Sequence, residues 1–331
     1  MGIAAGAAAA AYSSQRAHAR RIAADPENVF LSDPPVGRPL AVRSADGTEL
    51  HAEVFGRDDA PTLVLAHGWT ENLTYWAYQI RELAPELRIV AYDLRGHDRS
   101  ARAVDGDYAP ARFGEDVEAV LAAAVPPGER AVIAGHSLGA MSIAAFAEHH
   151  DVQARVRAAA LLNTGVDHLL ADSQLIRVPH FATAAAESVS RRAFLGSRAP
   201  LPSVSSPAAH SMIRYLAFGP AASPAQVAFY ERMLIACPPD VRAQVGTAIA
   251  DIDLLHALPN LTVPTLVMAG DRDRLTPSSH ARRIAEALPD LAGLEILSDT
   301  GHMGPLERPR EFSAALRGLA LSPVGAQAAA R

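Results

Sequence analysis

The sequence predicts an α/β fold, a mostly parallel doubly wound sheet with a helical segment inserted after its sixth strand. Three observations carry that prediction. Short apolar runs alternate with stretches of helical periodicity, joined by brief connections, over residues 62–163 and again over 263–321. Several of those runs are continuous rather than alternating, Thr62-Leu63-Val64-Leu65-Ala66 being the clearest, as expected of strands covered by helices on both faces. Residues 164–258 contain no strand candidate. A strand-free stretch of that length inside a parallel sheet reads as an insertion rather than as core helices with long loops.

Taken in order, residues 1–11 are small and apolar, too short a run to span a bilayer and without the preceding positive charges of a signal peptide. Arg16, Arg20 and Arg21 follow. A disordered or helical tail is expected, the alternative being the remnant of a membrane anchor. Residues 26–38 are Pro-rich and read as irregular. The turn signal Ala45-Asp46-Gly47-Thr48 separates two short runs, 40–44 and 49–54, that read as a hairpin at a sheet edge. The strand 62–66, a helix over 73–83 closed by Pro85, the strand 88–92 and a helix over 113–124 stopped by Pro126-Pro127-Gly128 follow. Next come a strand from Ala131, its helix to about residue 150, and a buried strand over 156–163. The insertion carries helical runs such as 181–190 and 225–235, punctuated by the Pro- and Ser-rich stretch 199–207, and is read as a cap or lid over the strand ends. A strand over 263–269, a helix over 279–288, a strand over 294–297 and a helix over 310–321 complete the alternation, with 323–331 frayed. The implied organisation is a tail and lead-in (1–38), a core (39–163 and 259–321), a cap (164–258) and a C-terminal tail (322–331).

Composition narrows the function. The 331 residues are 49% hydrophobic and carry a net charge of −6 without a dense Lys/Arg cluster, which argues against nucleic acid as a partner. The one cysteine, Cys237, excludes an internal disulfide and reads as a packed residue at the edge of a helix. A cytoplasmic location is expected, membrane association being the alternative if the Ala-rich N-terminus belongs to an anchor; a homo-oligomer is left open.

The chemistry is concentrated in Ala131-Val132-Ile133-Ala134-Gly135-His136-Ser137-Leu138-Gly139, where an apolar strand runs into a helix with almost no loop. Such a turn forces its apex into a strained conformation, excludes a Cβ two residues to either side, and sets the Ser137 hydroxyl at a helix N-terminus. A serine hydroxyl needs a base, and the base needs a partner that fixes its tautomer. His302, flanked by Gly301 and Gly304 after the last strand, is the candidate base. Asp273 is the first choice of acid, because its turn lies nearer the His302 loop in chain order; Asp271 in the same turn and Asp167 after the sixth strand compete. Leu138 and Trp69 are the candidate backbone N–H donors for an oxyanion, with Gly68 giving the backbone room. With thirteen histidines in the chain, His67, His97 and His136 at strand ends read as hydrogen-bonded loop formers; their spacing matches no metal motif. The pocket candidates are His67, Gly68, His136, Tyr215, Phe218 and Met303. Most aromatic and Met residues of the insertion read as its own packing.

These motifs, in order His67-Gly68-Trp69, Asp93-Leu94-Arg95-Gly96-His97, Gly135-His136-Ser137-Leu138-Gly139, Gly270-Asp271-Arg272-Asp273 and Gly301-His302, resemble the α/β-hydrolase superfamily over roughly residues 42–321. The resemblance implies the α/β-hydrolase fold and places Asp273 at the family's usual acid position. Serine at 137 resembles esterases and lipases, whereas epoxide hydrolases and haloalkane dehalogenases carry Asp there. Where the family usually has Gly after the His of the second motif, this chain has Asp98. The expectation is a serine hydrolase cleaving small carboxylic esters with an apolar acyl group through an acyl-enzyme, with no cofactor and no metal. The same triad would serve C–C bond, lactone or perhydrolase chemistry. A non-catalytic binding protein on this scaffold is disfavoured because Ser, acid and His are all present.

Overall fold

Residues with continuous apolar runs form the middle of the sheet, and the hairpin forms its edge. The computed structural model describes residues 2–173, 193, 195–202 and 204–322, the first ten of these by their backbone alone. Among the described residues, eight strands form one sheet: β1 (Arg38–Arg43), β2 (Glu49–Gly56), β3 (Thr62–Ala66), β4 (Arg88–Tyr92), β5 (Ala131–His136), β6 (Val156–Leu162), β7 (Thr265–Gly270) and β8 (Leu291–Leu297). Their order is β1-β2-β4-β3-β5-β6-β7-β8. The pairs β1–β2 and β2–β4 are antiparallel and the rest parallel. The chain crosses outward from β3 to β4 and back over β3 to β5, so the winding reverses at β3. The crevice beyond the carboxyl ends of β3 and β5 is where such sheets hold ligands.

The core is two layers, one on each face. Val64, Val90 and Ile133 point to the face covered by the helices Pro110–Ala124 and Leu138–His149. Leu63, Leu65, Ile89 and Val132 point to the opposite face, under the helices Ala77–Leu83 and Pro309–Leu321. Period-two alternation thus puts apolar residues on both sides, which is why β3 reads as an unbroken apolar run. Arg95 is fully buried, with a bidentate pair to Asp116 at 2.7 Å and a further bond to Asp46 at 2.9 Å. It ties the loop after β4 to the hairpin and to the helix Pro110–Ala124.

Between β6 and β7 the described residues form the helices Leu169–Asp172, Pro207–Ala217, Pro224–Ala236 and Pro239–Ala250 and the 3₁₀ segment Leu255–Asn260, with no strand. The helix Pro224–Ala236 starts in a capping box, Ser223 exchanging bonds with Gln226, with Pro224 at its first position. The expected helix over 181–190 and the expected fraying of 323–331 lie outside the described residues. The lead-in departs from expectation: Pro26–Leu31 is a helix, with Pro26 in the first turn and the Asp25 side chain accepting the Glu27 N–H. Proline there starts a helix rather than breaking one. The N-terminal stretch is the helix Gly2–Ala23, lying against Pro207–Ala217 and Pro224–Ala236. No helix among the described residues is long and apolar enough to cross a membrane.

Candidate active site

The turn after β5 has the geometry its residues demand. Ser137 sits at φ 49°, ψ −114°, a conformation side chains rarely adopt. A Cβ at residue 135 would lie 2.4 Å from backbone atoms of Gly139 and Ala140, and one at 139 would lie 2.2 Å from the Ala66 carbonyl oxygen. Glycine at 139 therefore lets the helix start against the end of β3 as well as close the turn. The Ser137 N–H donates to Leu162 O at 3.0 Å, fastening the strained residue to β6.

The loops after β7 and β8 bring Asp273 and His302 together. Asp273 Oδ2 lies 2.9 Å from His302 Nδ1. The same oxygen accepts from Thr276 Oγ1 at 2.9 Å and Asn163 Nδ2 at 3.3 Å, while Oδ1 accepts the N–H groups of Leu275 and Thr276 at 2.9 Å each. Burial would raise the carboxyl; the charge of His302 and these hydrogen bonds outweigh it and hold Asp273 below its ordinary value. The competing acids are elsewhere. Asp271 is exposed beside Arg272, and Asp167 is buried in an ion pair with Arg283 at 3.1 Å. The His302 loop is itself held by Glu307, whose carboxyl accepts the N–H groups of Gly301 and of Gly219 from the inserted segment. Burial pushes Glu307 up to about 7 despite those bonds.

The N–H groups of Trp69 and Leu138 make no hydrogen bond with the described residues. The Trp69 loop is fixed from below by a buried pair absent from the sequence reading. Glu71 lies 3.0 Å from His136 Nδ1 and accepts the Gly68 N–H at 2.5 Å. His136 Nε2 donates to the His302 carbonyl at 2.9 Å and its ring stacks on Tyr75. Burial lowers the His136 pKa, but Glu71 more than offsets this and the net direction is upward. One ion pair thus braces the loop after β3, the Ser137 turn and the His302 loop.

A cavity of about 290 Å³ opens on this site, its wall including Ser137, His302, Trp69, Met303, Glu71 and Thr276. The rest is mostly apolar and comes largely from the insertion, with Leu169, Leu195, Ile213, Leu216 and Leu234. Of the expected pocket residues, Met303 is in the wall and five are not. Tyr215 is 56% exposed and lies under Arg274, because it is on the outer side of its helix while Ile213 and Leu216 face inward. Phe218 is buried against Tyr230 rather than open to the cavity. His67 is a buried loop former: Nδ1 donates to Gly68 O at 2.8 Å and Nε2 accepts the Leu94 N–H at 2.9 Å. His97 Nε2 likewise accepts the Thr70 N–H at 3.3 Å. Gly68 and His136 lie behind the wall in the Glu71 network. Asp98, where the family carries Gly, has φ 42°, the conformation for which Gly is the usual residue.

Glu71, Asn163, Thr276 and Glu307 were not anticipated. Asn163 carried a faint signal, an Asn ending a strand, and it adopts φ 44°. Glu71 carried another, a lone acid in a loop of Gly, Trp and Thr.

A doubly wound sheet with a serine elbow and an Asp–His contact at the carboxyl ends defines a hydrolase class of protein. Residues 61–309 match the alpha/beta hydrolase fold family, and the chain belongs to it. Among its relatives, a protein of Caulobacter sp. (strain K31) named as a carbamate hydrolase, RutD, is 30% identical over 81% of this chain and 94% of its own. The 3-oxoadipate enol-lactonase 2 of Acinetobacter baylyi is 25% identical over 82% and 93%. Among solved structures, an esterase from Rhodococcus sp. ECU1013 superposes with a TM-score of 0.64 at 25% identity, covering 87% of this chain and all of that one.

Proposed function

We propose that this hydrolase cleaves carboxylic esters through a covalent acyl-enzyme, with Ser137 as nucleophile, His302 as general base and Asp273 as its orienting acid. The observation that carries the reading is the Asp273–His302 contact of 2.9 Å on a cavity whose wall also holds Ser137. Ser137 Oγ bonds to the ester carbonyl carbon while His302 Nε2 takes its proton; the Nδ1 proton stays on the bond to Asp273. The carbonyl electrons move to oxygen, which the Trp69 and Leu138 N–H groups receive. The oxyanion then collapses, the C–O bond to the leaving group breaks, and His302 returns the proton to that oxygen. Water repeats the sequence on the acyl-enzyme and frees Ser137. Residues 164–258 act as the cap, since much of the cavity wall comes from them. The apolar wall favours an apolar acyl group. Lactone opening breaks the same bond type, and the enol-lactonase relative favours it as a second reading.

Hydrolysis of p-nitrophenyl butyrate by the intact chain, its loss in Ser137→Ala, and labelling of Ser137 by a fluorophosphonate are the expected results. Turnover that persists in Ser137→Ala would remove this serine from the mechanism. Absence of both turnover and label would leave a binding protein.

A further inference from the structure

The cavity wall contains one residue that an apolar ester does not explain. Arg242, in the helix Pro239–Ala250, is 7% exposed and lines the cavity that holds Ser137 and His302. One of its guanidinium nitrogens, Nη2, donates to the Ala199 carbonyl at 2.5 Å, and its own carbonyl accepts the Trp69 indole N–H at 3.1 Å. The Ala199 bond is the one its side chain makes with the described residues, and it makes no ion pair with them. The nearest acid in sequence, Asp240, pairs with Arg102 at the surface instead. Glu71 shares the cavity wall, but its oxygens are taken up by His136 and the Gly68 N–H. Burial pushes the neighbouring Cys237 thiol up to about 12, so it is neutral and gives no counter-charge.

A guanidinium stays ionised at any working pH and offers five donors in a planar fork. With one carbonyl as its partner among the described residues, holding it nine-tenths buried costs several kcal/mol unless an anion completes the pairing. Among the described residues, none of its nitrogens is both sealed and unpartnered. A planar carboxylate fits that fork in two-pronged fashion. The Trp69 indole bond to the Arg242 backbone ties this helix to the loop that carries a candidate oxyanion donor.

We propose that Arg242 is the substrate's anion-binding group: the substrate is an ester or lactone whose apolar chain ends in a free carboxylate, held by Arg242 while its carbonyl lies at Ser137. This deepens, and rests on, the ester-hydrolase reading.

The test compares methyl esters with their ω-carboxy counterparts of equal chain length, from monomethyl succinate to monomethyl suberate, by methanol release. At the chain length that spans the cavity, the ω-carboxy ester should be preferred by about tenfold or more in kcat/KM, mainly through KM. Arg242→Gln should lose at least about tenfold more on the ω-carboxy ester than on the neutral one, and Arg242→Lys should restore part of the difference. Neutral esters hydrolysed with no carboxylate preference at any length, or an equal loss on both in Arg242→Gln, would overturn this inference and leave the ester-hydrolase reading standing. If neither ester turns over, the ester-hydrolase reading fails; thermal stabilisation by free octanoate relative to octanol then decides on Arg242. Stabilisation present in the wild type and lost in Arg242→Gln supports the anion site, and no stabilisation of the wild type refutes it. If Arg242→Gln does not fold, competitive inhibition of the wild type by octanoate but not octanol supports the site, and equal inhibition refutes it.

Discussion

Asp273 receives more hydrogen bonds than it needs to steer one imidazole: two backbone N–H groups, a hydroxyl and an amide besides His302. They keep a buried carboxylate ionised and fix which oxygen faces His302. Asp273→Asn replaces that acceptor with a group that can present a donor, so kcat for p-nitrophenyl butyrate should fall by about 10³–10⁴. Asp271→Asn, at an exposed position, should change it by less than about threefold. The reverse pattern would reassign the acid. Glu71 gives a prediction of a different kind. The folded-state pKa of His136 is raised above its ordinary 6.5, so the pair contributes stability below that value and loses it as pH rises through the folded value. Glu71→Gln removes the cause. Its cost in stability should therefore be larger near pH 5.5 than near pH 9, as read from urea midpoints; a cost independent of pH would mean that His136 is not charged in the fold. Ser137 and His302 were legible because a serine turn leaves Gly at fixed offsets and the late-strand turns are short. Glu71 and Arg242 were not. Glu71 meets His136 across 65 positions, and Arg242 meets Ala199 across 43, so only folding creates their surroundings.

The elements meet the site at their carboxyl ends, and their junctions set tolerances that side-chain chemistry does not. The helix Leu138–His149 begins against the end of β3, with the residue 139 Cα facing the Ala66 carbonyl. The obstruction at 2.2 Å is backbone, which has nowhere to move in the middle of a sheet. Gly139→Ala should cost about 3 kcal/mol, the upper part of the range for overpacking, and should lower activity along with stability. A urea midpoint equal to that of the wild type would show that the turn can relax. All eight strands were legible, the buried parallel ones because they leave apolar runs between turn residues and the edge hairpin because of its turn signal at 45–48. Which face of a helix meets the cavity was not. Ile213, Tyr215 and Leu216 share one helix and similar polarity, yet Tyr215 faces solvent. That choice is made by which side of the helix packs toward the cavity, which residue types alone do not encode. Pro26 was misread for a related reason: proline marks the first turn of a helix as readily as a break, and Asp25 before it decided the matter.

At the scale of the molecule, the sheet, the insertion and the N-terminal helix are held together unequally. The insertion is fastened to the core at both flanks of the site. Arg283 pairs with Asp167 and Asp172 where the chain leaves β6, and Glu307 receives Gly219 beside the His302 loop. The helix Gly2–Ala23 has much less. Among its described side chains, those of residues 12–23, His18 is the buried one, packed edge-on to His210 with ring centres 4.6 Å apart. Gln15 adds a bond to the Ser205 carbonyl. An Ala-rich helix whose described side chains bury so little is marginal in water and is kept folded mainly by docking. It should therefore open locally while the sheet remains closed. Backbone amides of residues 12–23 should exchange with deuterium at least about 10³-fold faster than those of β5. Deleting residues 2–23 should lower the Tm by no more than about 5 °C. Because no described side chain of this helix lines the cavity, kcat for p-nitrophenyl butyrate should stay within about twofold after the deletion. Protection in 12–23 equal to that of β5, or a deletion that unfolds the chain, would mean that this helix is part of the cooperative core and that the insertion depends on it for its shape.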